Sequence, residues 1–194
     1  MGGRFESSKP LRRFGRLAVG GTARLAGPCR GREVSVGGVL TVDGDLELEG
    51  DLSVGGRGTI RGHLKAADVH VGGTLEAEGV EAERDVVVGG RLSTKEGVKA
   101  DYVEIGRRGR VVGPIRAREV RVRERAQVDD VWAEEITLEE GARARNLYGL
   151  RIYLERGCTV SGEVRYVEEL MAEEGVRLAR APQRARGPEE IGLA

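Results

Sequence analysis

The sequence predicts an all-β solenoid, a three-sided parallel β-helix of about ten coils. Three observations predict it: a repeat of sixteen to eighteen residues between Leu17 and Leu178, paired branched apolar residues spaced two apart at the head of each repeat, and glycine pairs behind them. The first residue of each apolar pair falls at Leu17, Val34, Leu52, Val69, Val86, Val103, Val120, Ile136, Ile152 and Leu170. In the first five repeats the pair is followed by Gly20-Gly21, Gly37-Gly38, Gly55-Gly56, Gly72-Gly73 and Gly89-Gly90. A repeat this short cannot bury its own apolar face and must stack on copies of itself.

The coil from Leu52 to Asp68, LSVGGRGTIRGHLKAAD, shows how one repeat folds. Its apolar residues form three short runs: Leu52 and Val54, then Ile60, then Leu64 and Ala66. Alternation at period two marks a strand with one buried face, and glycine between runs marks a sharp turn. Three strands and three corners make a triangular coil. The preceding coil repeats the pattern with Val34 and Val36, Leu40 and Val42, and Leu46 and Leu48. Each strand then pairs with its equivalents above and below at a rise of about 4.8 Å, so about ten coils make a rod of about 48 Å. A helical reading fails because the apolar spacing is two, glycine is abundant (31 of 194 residues) and β-branched residues dominate the buried set. The segment 166–180 has some helical character, but its LMAEEGVRL aligns with ITLEEGARA and IYLERGCTV and reads as a last coil, loosened by Ala172.

The corners change along the chain. Coils that begin at Ile136, Ile152 and Leu170 carry a single later glycine, at Gly141, Gly157 and Gly175, and the coil from Val120 uses Arg123-Glu124-Arg125. Three regions follow: a basic tail over 1–16, the β-helix over 17–180 and a Pro/Arg/Gly-rich tail over 181–194, both tails expected to be disordered. No apolar run approaches the roughly eighteen residues of a membrane span, and no signal-peptide pattern is present, so the expected compartment is the cytoplasm.

Net charge is zero, but the charges are banded. Residues 1–32 carry eight bases and one acid, 33–104 seven and fifteen, 105–125 eight and two, and the remainder nine and fourteen. The central band of Arg107, Arg108, Arg110, Arg116, Arg118, Arg121, Arg123 and Arg125 is a candidate contact for an anionic partner; solvation and ladder pairing with neighbouring glutamates is the plainer account. In the N-terminal tail Phe5, Leu11 and Phe14 lie among Arg12, Arg13 and other bases, a composition suited to an anionic membrane surface.

Candidate chemistry is sparse. The only histidines are His63 and His70, and neither has a cysteine or carboxylate cluster at ligand spacing. Cys29 and Cys158 are more than seven coils apart, beyond disulfide reach, and both replace apolar residues of the repeat. The Gly-Gly pairs lack the Gly-Lys-Ser/Thr and helix of a phosphate loop. We therefore expect no catalytic residue, cofactor or metal. An acyltransferase on a hexapeptide β-helix is the enzymatic alternative, and the drifting period breaks its register.

A β-helix also ends in unpaired strands over an apolar core, and such an end must be capped or paired. Candidate polymer contacts are Phe14, Leu17, Val19 and Leu25 at one end and Leu170, Val176 and Leu178 at the other. The ragged coils, the run of V-x-V-G-G units and the short polar tails resemble the bactofilins, bacterial polymer-forming cytoskeletal proteins, over residues 17–180. The resemblance implies a right-handed, three-sided parallel β-helix in a non-enzymatic protein. It also implies end-to-end self-assembly without nucleotide, into non-polar filaments that scaffold protein cargo. An N-terminal membrane-targeting segment on the inner face of the membrane would match Phe5 to Phe14. The chain departs from the family in its larger coil number and in having no Phe after Phe14. The expected partner is a second copy of the chain, nucleic acid is not an expected partner, and the alternative function is a non-polymerising binding module that uses the arginine band.

Overall fold

The computed structural model describes residues 3–193; Met1, Gly2 and Ala194 lie outside the described residues. The chain is a parallel β-solenoid of about 11 turns. In the coil that begins at Leu52, strands Leu52–Val54, Arg57–Ile60 and His63–Ala66 form three sides. Each pairs in parallel with its equivalents: Leu52 with Val34 and Val69, Gly58 with Leu40 and Leu75, and Leu64 with Leu46 and Val80. The column that begins at Leu17 runs in unbroken register through all the residues that head the sequence repeats, as far as Leu170.

The inward columns form one continuous core. Leu52, Leu64, Leu75, Leu92, Ile105, Ile115, Ile136 and Leu147 are all fully buried. Burying such a side chain stabilises the fold by about 1.5–3 kcal/mol, and every coil contributes several. One inward position is a glycine: Gly58 faces the core in the strand Arg57–Ile60, and the Leu75 Cδ1 of the next coil fills its space, 3.0 Å from where a Cβ would lie. Both cysteines are buried, and the Cys158 thiol donates to the Glu139 carbonyl at 3.1 Å while burial pushes its pKa up to about 11.

The Gly-Gly corners are explained by close approach. A Cβ on Gly38, Gly56, Gly73 or Gly90 would lie 2.0 Å from the carbonyl oxygen of the equivalent glycine one coil earlier. The first glycine of the pair is under no such pressure: a Cβ on Gly72 or Gly89 would lie 3.9 Å from the nearest oxygen. In the C-terminal half the corner instead requires a left-handed residue: Gly141, Gly157 and Gly175 have φ of 69°, 71° and 77°. Arg108 and Arg125 occupy the same conformation at φ 59° and 58°, a region that suits glycine.

The tails depart from the expected disorder. Residues Arg4–Ser7 form a strand that pairs with Thr22–Leu25, and Phe14 belongs to the strand Phe14–Val19. At the other end Gln183–Arg184 pairs with Arg165–Tyr166, and Pro188–Ile191 forms a 3-10 turn that buries Ile191. The solenoid offers these short segments an open strand edge and an apolar surface, which supply the order that their composition lacks.

We expect Gly73→Ala to lower stability by about 3 kcal/mol, because two backbones must separate, whereas Gly72→Ala stays within about 1 kcal/mol. Thermal melts of the two variants check this. Arg125→Gly relieves a left-handed side-chain residue and should raise stability by about 1 kcal/mol in the same assay.

Candidate functional site

The two ends of the solenoid differ. At the N-terminal end residues 3–16 fold across the first coil. Phe5 pairs with Ala23, the Leu11 carbonyl accepts a hydrogen bond from the Arg30 amide at 2.9 Å, and the Phe14 ring covers Gly31. Phe5, Leu11 and Phe14 are half-buried and packed on the core. They leave Leu17, Val19 and Leu25 only 5 %, 3 % and 0 % exposed, so these three predicted polymer contacts are core residues. The same packing turns part of the apolar surface of Phe5, Leu11 and Phe14 towards their own chain. Arg12 and Arg13 remain exposed beside them.

At the C-terminal end Gln183–Arg184 covers one side of the last turn, at Arg165–Tyr166, and no described residue pairs with the other two. Leu170, Val176 and Leu178 are half-buried, Ala172 is exposed and Met171 is 55 % exposed. Glu169–Ala172 pairs only with Arg151–Leu154, and Arg177–Leu178 only with Thr159–Val160. The final residues turn onto the side of the solenoid instead. There the Gly192 carbonyl accepts a hydrogen bond from Arg116 Nη1 at 2.9 Å, and Gly192 lies against Trp132. The Trp132 and Tyr148 rings stack at 4.9 Å and 12°, with the Arg116 guanidinium 4.8 Å from the Trp132 ring centre. Sequence reasoning missed this aromatic column, although its signal, one side chain every sixteen residues, is present at Arg116, Trp132 and Tyr148.

The central arginine band does not form one patch. Arg107 binds Glu124 at 2.5 Å and holds its carboxyl down at about 2; Arg118 binds Asp101 at 3.1 Å. Arg121 lies 2.7 Å from Glu139, a buried carboxylate that also sits 3.4 Å from Arg123. Arg123 reaches Glu104 at 3.3 Å, and Arg116 is engaged by Trp132. Arg108, Arg110, Arg116 and Arg125 of the band lack a carboxylate at ion-pair distance among the described residues. Winding the chain around three sides separates residues that are neighbours in sequence.

His63 is held by two carboxylates: its amide donates to Asp45 Oδ1 and its Nε2 lies 2.8 Å from Glu96, both at 2.8 Å. His70 is exposed on the rung between Ser53 and Val87. Among the described residues no group of three or more His, Cys, Asp or Glu side chains could hold a metal ion, and no helix is long and apolar enough to cross a membrane.

The hydrogen bond to Glu96 raises the His63 pKa above its ordinary value, with slight burial opposing it. The contact therefore stabilises the fold fully below about pH 6.5 and fades as pH rises through the raised folded value. Melting temperatures of the unmodified chain and His63→Gln should differ more at about pH 5.5 than at about pH 8.5. No family model matches this sequence, and no curated protein or solved structure matches it either.

Proposed function

We propose that the protein is a structural scaffold that assembles end to end, without nucleotide, into filaments. The observation that carries this reading is the pair of open sides of the C-terminal cross-section, where Leu170, Met171, Val176 and Leu178 lie on strand edges that pair on one side only. An open parallel edge over an apolar floor is a template for another chain, and a second copy supplies both the missing rung and the apolar cover. The resemblance to bactofilins supports the same reading and, with it, a cytoplasmic filament that organises protein cargo. The N-terminal end contributes through the outer surfaces of Phe5, Leu11 and Phe14, since Leu17, Val19 and Leu25 are occupied within the chain. A second reading, a monodisperse binding module, draws support from the arginines that have no carboxylate partner.

Negative-stain electron microscopy of the untagged chain at moderate salt tests the proposal. Filaments a few nanometres wide are expected, and Leu178→Asp or Leu170→Asp should yield monomers or short oligomers with a nearly unchanged melting temperature. A charge at Leu17 should lower the melting temperature itself, because that side chain is in the core. Discrete particles from the unmodified chain would overturn the filament reading in favour of the binding module.

A further inference from the structure

Many arginines on this solenoid are neutralised one coil away. Arg24 binds Asp43 at 2.9 Å, Arg30 binds Glu47 at 2.7 Å, Arg156 binds Glu140 at 2.9 Å and Arg180 binds Glu163 at 2.6 Å. One outward column stacks arginines that are not. Arg91, Arg110, Gln127, Arg143, Thr159 and Arg177 occupy six consecutive rungs of it, with no acid among them. None of the four arginines has a carboxylate within 4.0 Å among the described residues. Arg91 and Arg110 are direct rung neighbours, so like charges face each other across about one coil spacing, an arrangement that a ligand of opposite charge relieves.

Gln127, Arg143, Thr159 and Arg177 of the column line a groove of ≈ 490 Å³, and Arg110 lies on the rung beside it. Its floor is the left-handed corner at Gly141, Gly157 and Gly175, where the absence of side chains leaves the backbone open to close approach, and Arg125, Arg143 and Arg177 stand over it. Arg125 takes the left-handed conformation that its neighbours give to glycine, which keeps a cation at the head of the groove.

We propose that this groove binds the phosphodiester backbone of a nucleic acid without reading its bases. A planar guanidinium pairs with phosphate oxygens through two parallel hydrogen bonds, and the rungs place such groups along a straight line at multiples of about 4.8 Å. A row of this kind fits a chain of phosphates better than a single anion. The arginines stand in a single line rather than over a broad face, which matches one strand of phosphates better than the two-dimensional array of a bilayer surface. No aromatic side chain lines it, which removes base stacking as a source of affinity. The zero net charge averages over all faces and conceals this one.

The test is fluorescence anisotropy of the full chain with a labelled oligothymidine and with a labelled duplex of the same length. Four contacts, from Arg110, Arg125, Arg143 and Arg177, give a single-strand salt slope of about −2.8, a roughly fiftyfold loss of affinity between about 50 and 200 mM salt. The double variant Arg143→Gln/Arg177→Gln should halve that slope. Arg24→Gln/Arg118→Gln, which removes the same charge from ion-paired arginines outside the groove, should leave it unchanged. Binding of either oligonucleotide with this pattern supports the proposal, and the form bound more tightly identifies the source of the phosphates. Three results would overturn it: no binding at about 50 mM salt, equal effects of the two double variants, or capture by phosphatidylserine vesicles without oligonucleotide binding.

Discussion

The parallel hydrogen-bond ladder between successive coils governs the rest of this molecule. Backbone amides along the strands find their acceptors one turn away, and so do corner amides, as when Gly37 and Gly38 both donate to the Val19 carbonyl and Gly55 and Gly56 repeat the contact with Val36. The ladder places every residue on its equivalent in the neighbouring coil, at a spacing that side chains cannot alter. Leucine and valine therefore stack into columns that exclude water. At the corner the same spacing leaves no room for a Cβ, and the second glycine of each pair is the chemical consequence.

The ladder also decides the electrostatics. Residues on an outward column sit about 4.8 Å apart, close enough for charge to matter even at the surface. Along one column the sequence Arg30, Glu47, Lys65, Glu81, Lys99 alternates in sign, with Arg30 2.7 Å from Glu47 and Lys65 3.3 Å from Glu81. Where alternation stops, the column turns to a cation over an aromatic face at Arg116 and Trp132 and then to the stacked ring of Tyr148. Exposed pairs of this kind each contribute at most about 1 kcal/mol, so they specify register more than they supply stability. Against that background a column that carries arginine with neutral rungs and no acid is a surface whose charge is balanced from outside the chain.

A translational repeat has no internal reason to stop, and the two ends resolve this differently. The N-terminal segment folds back as an extra strand and places three large apolar side chains over the first coil. The C-terminal segment, which buries Ile191, pairs with one side of the last turn, runs along the solenoid and leaves the other two sides open. The half-exposed leucines there lose part of the 1.5–3 kcal/mol or so that full burial would provide, which a further copy of the chain would restore in the assembly we propose. That assembly would be the same interaction that holds the coils together, continued past the terminus.

The sequence by itself determined the coil. Alternation within runs placed Leu52, Val54, Ile60, Leu64 and Ala66 in the core, and the recurring glycine pairs marked one corner of each of the first five turns. These features are local, because a strand's buried face and a tight turn depend on residues a few positions apart. Gly58 was missed as an inward residue because a glycine leaves no mark in an apolar pattern; the next coil's Leu75 fills its place. Only the tertiary structure decided which ends are closed and which charges meet. Phe5 and Phe14 read as a polar tail's apolar residues until Ala23 and Gly31 are seen beneath them, and the arginine block from Arg107 to Arg123 reads as one band until winding distributes it over three sides. The physical reason is that such contacts join residues one full coil apart, so they are set by how the coils stack and where the stacking ends.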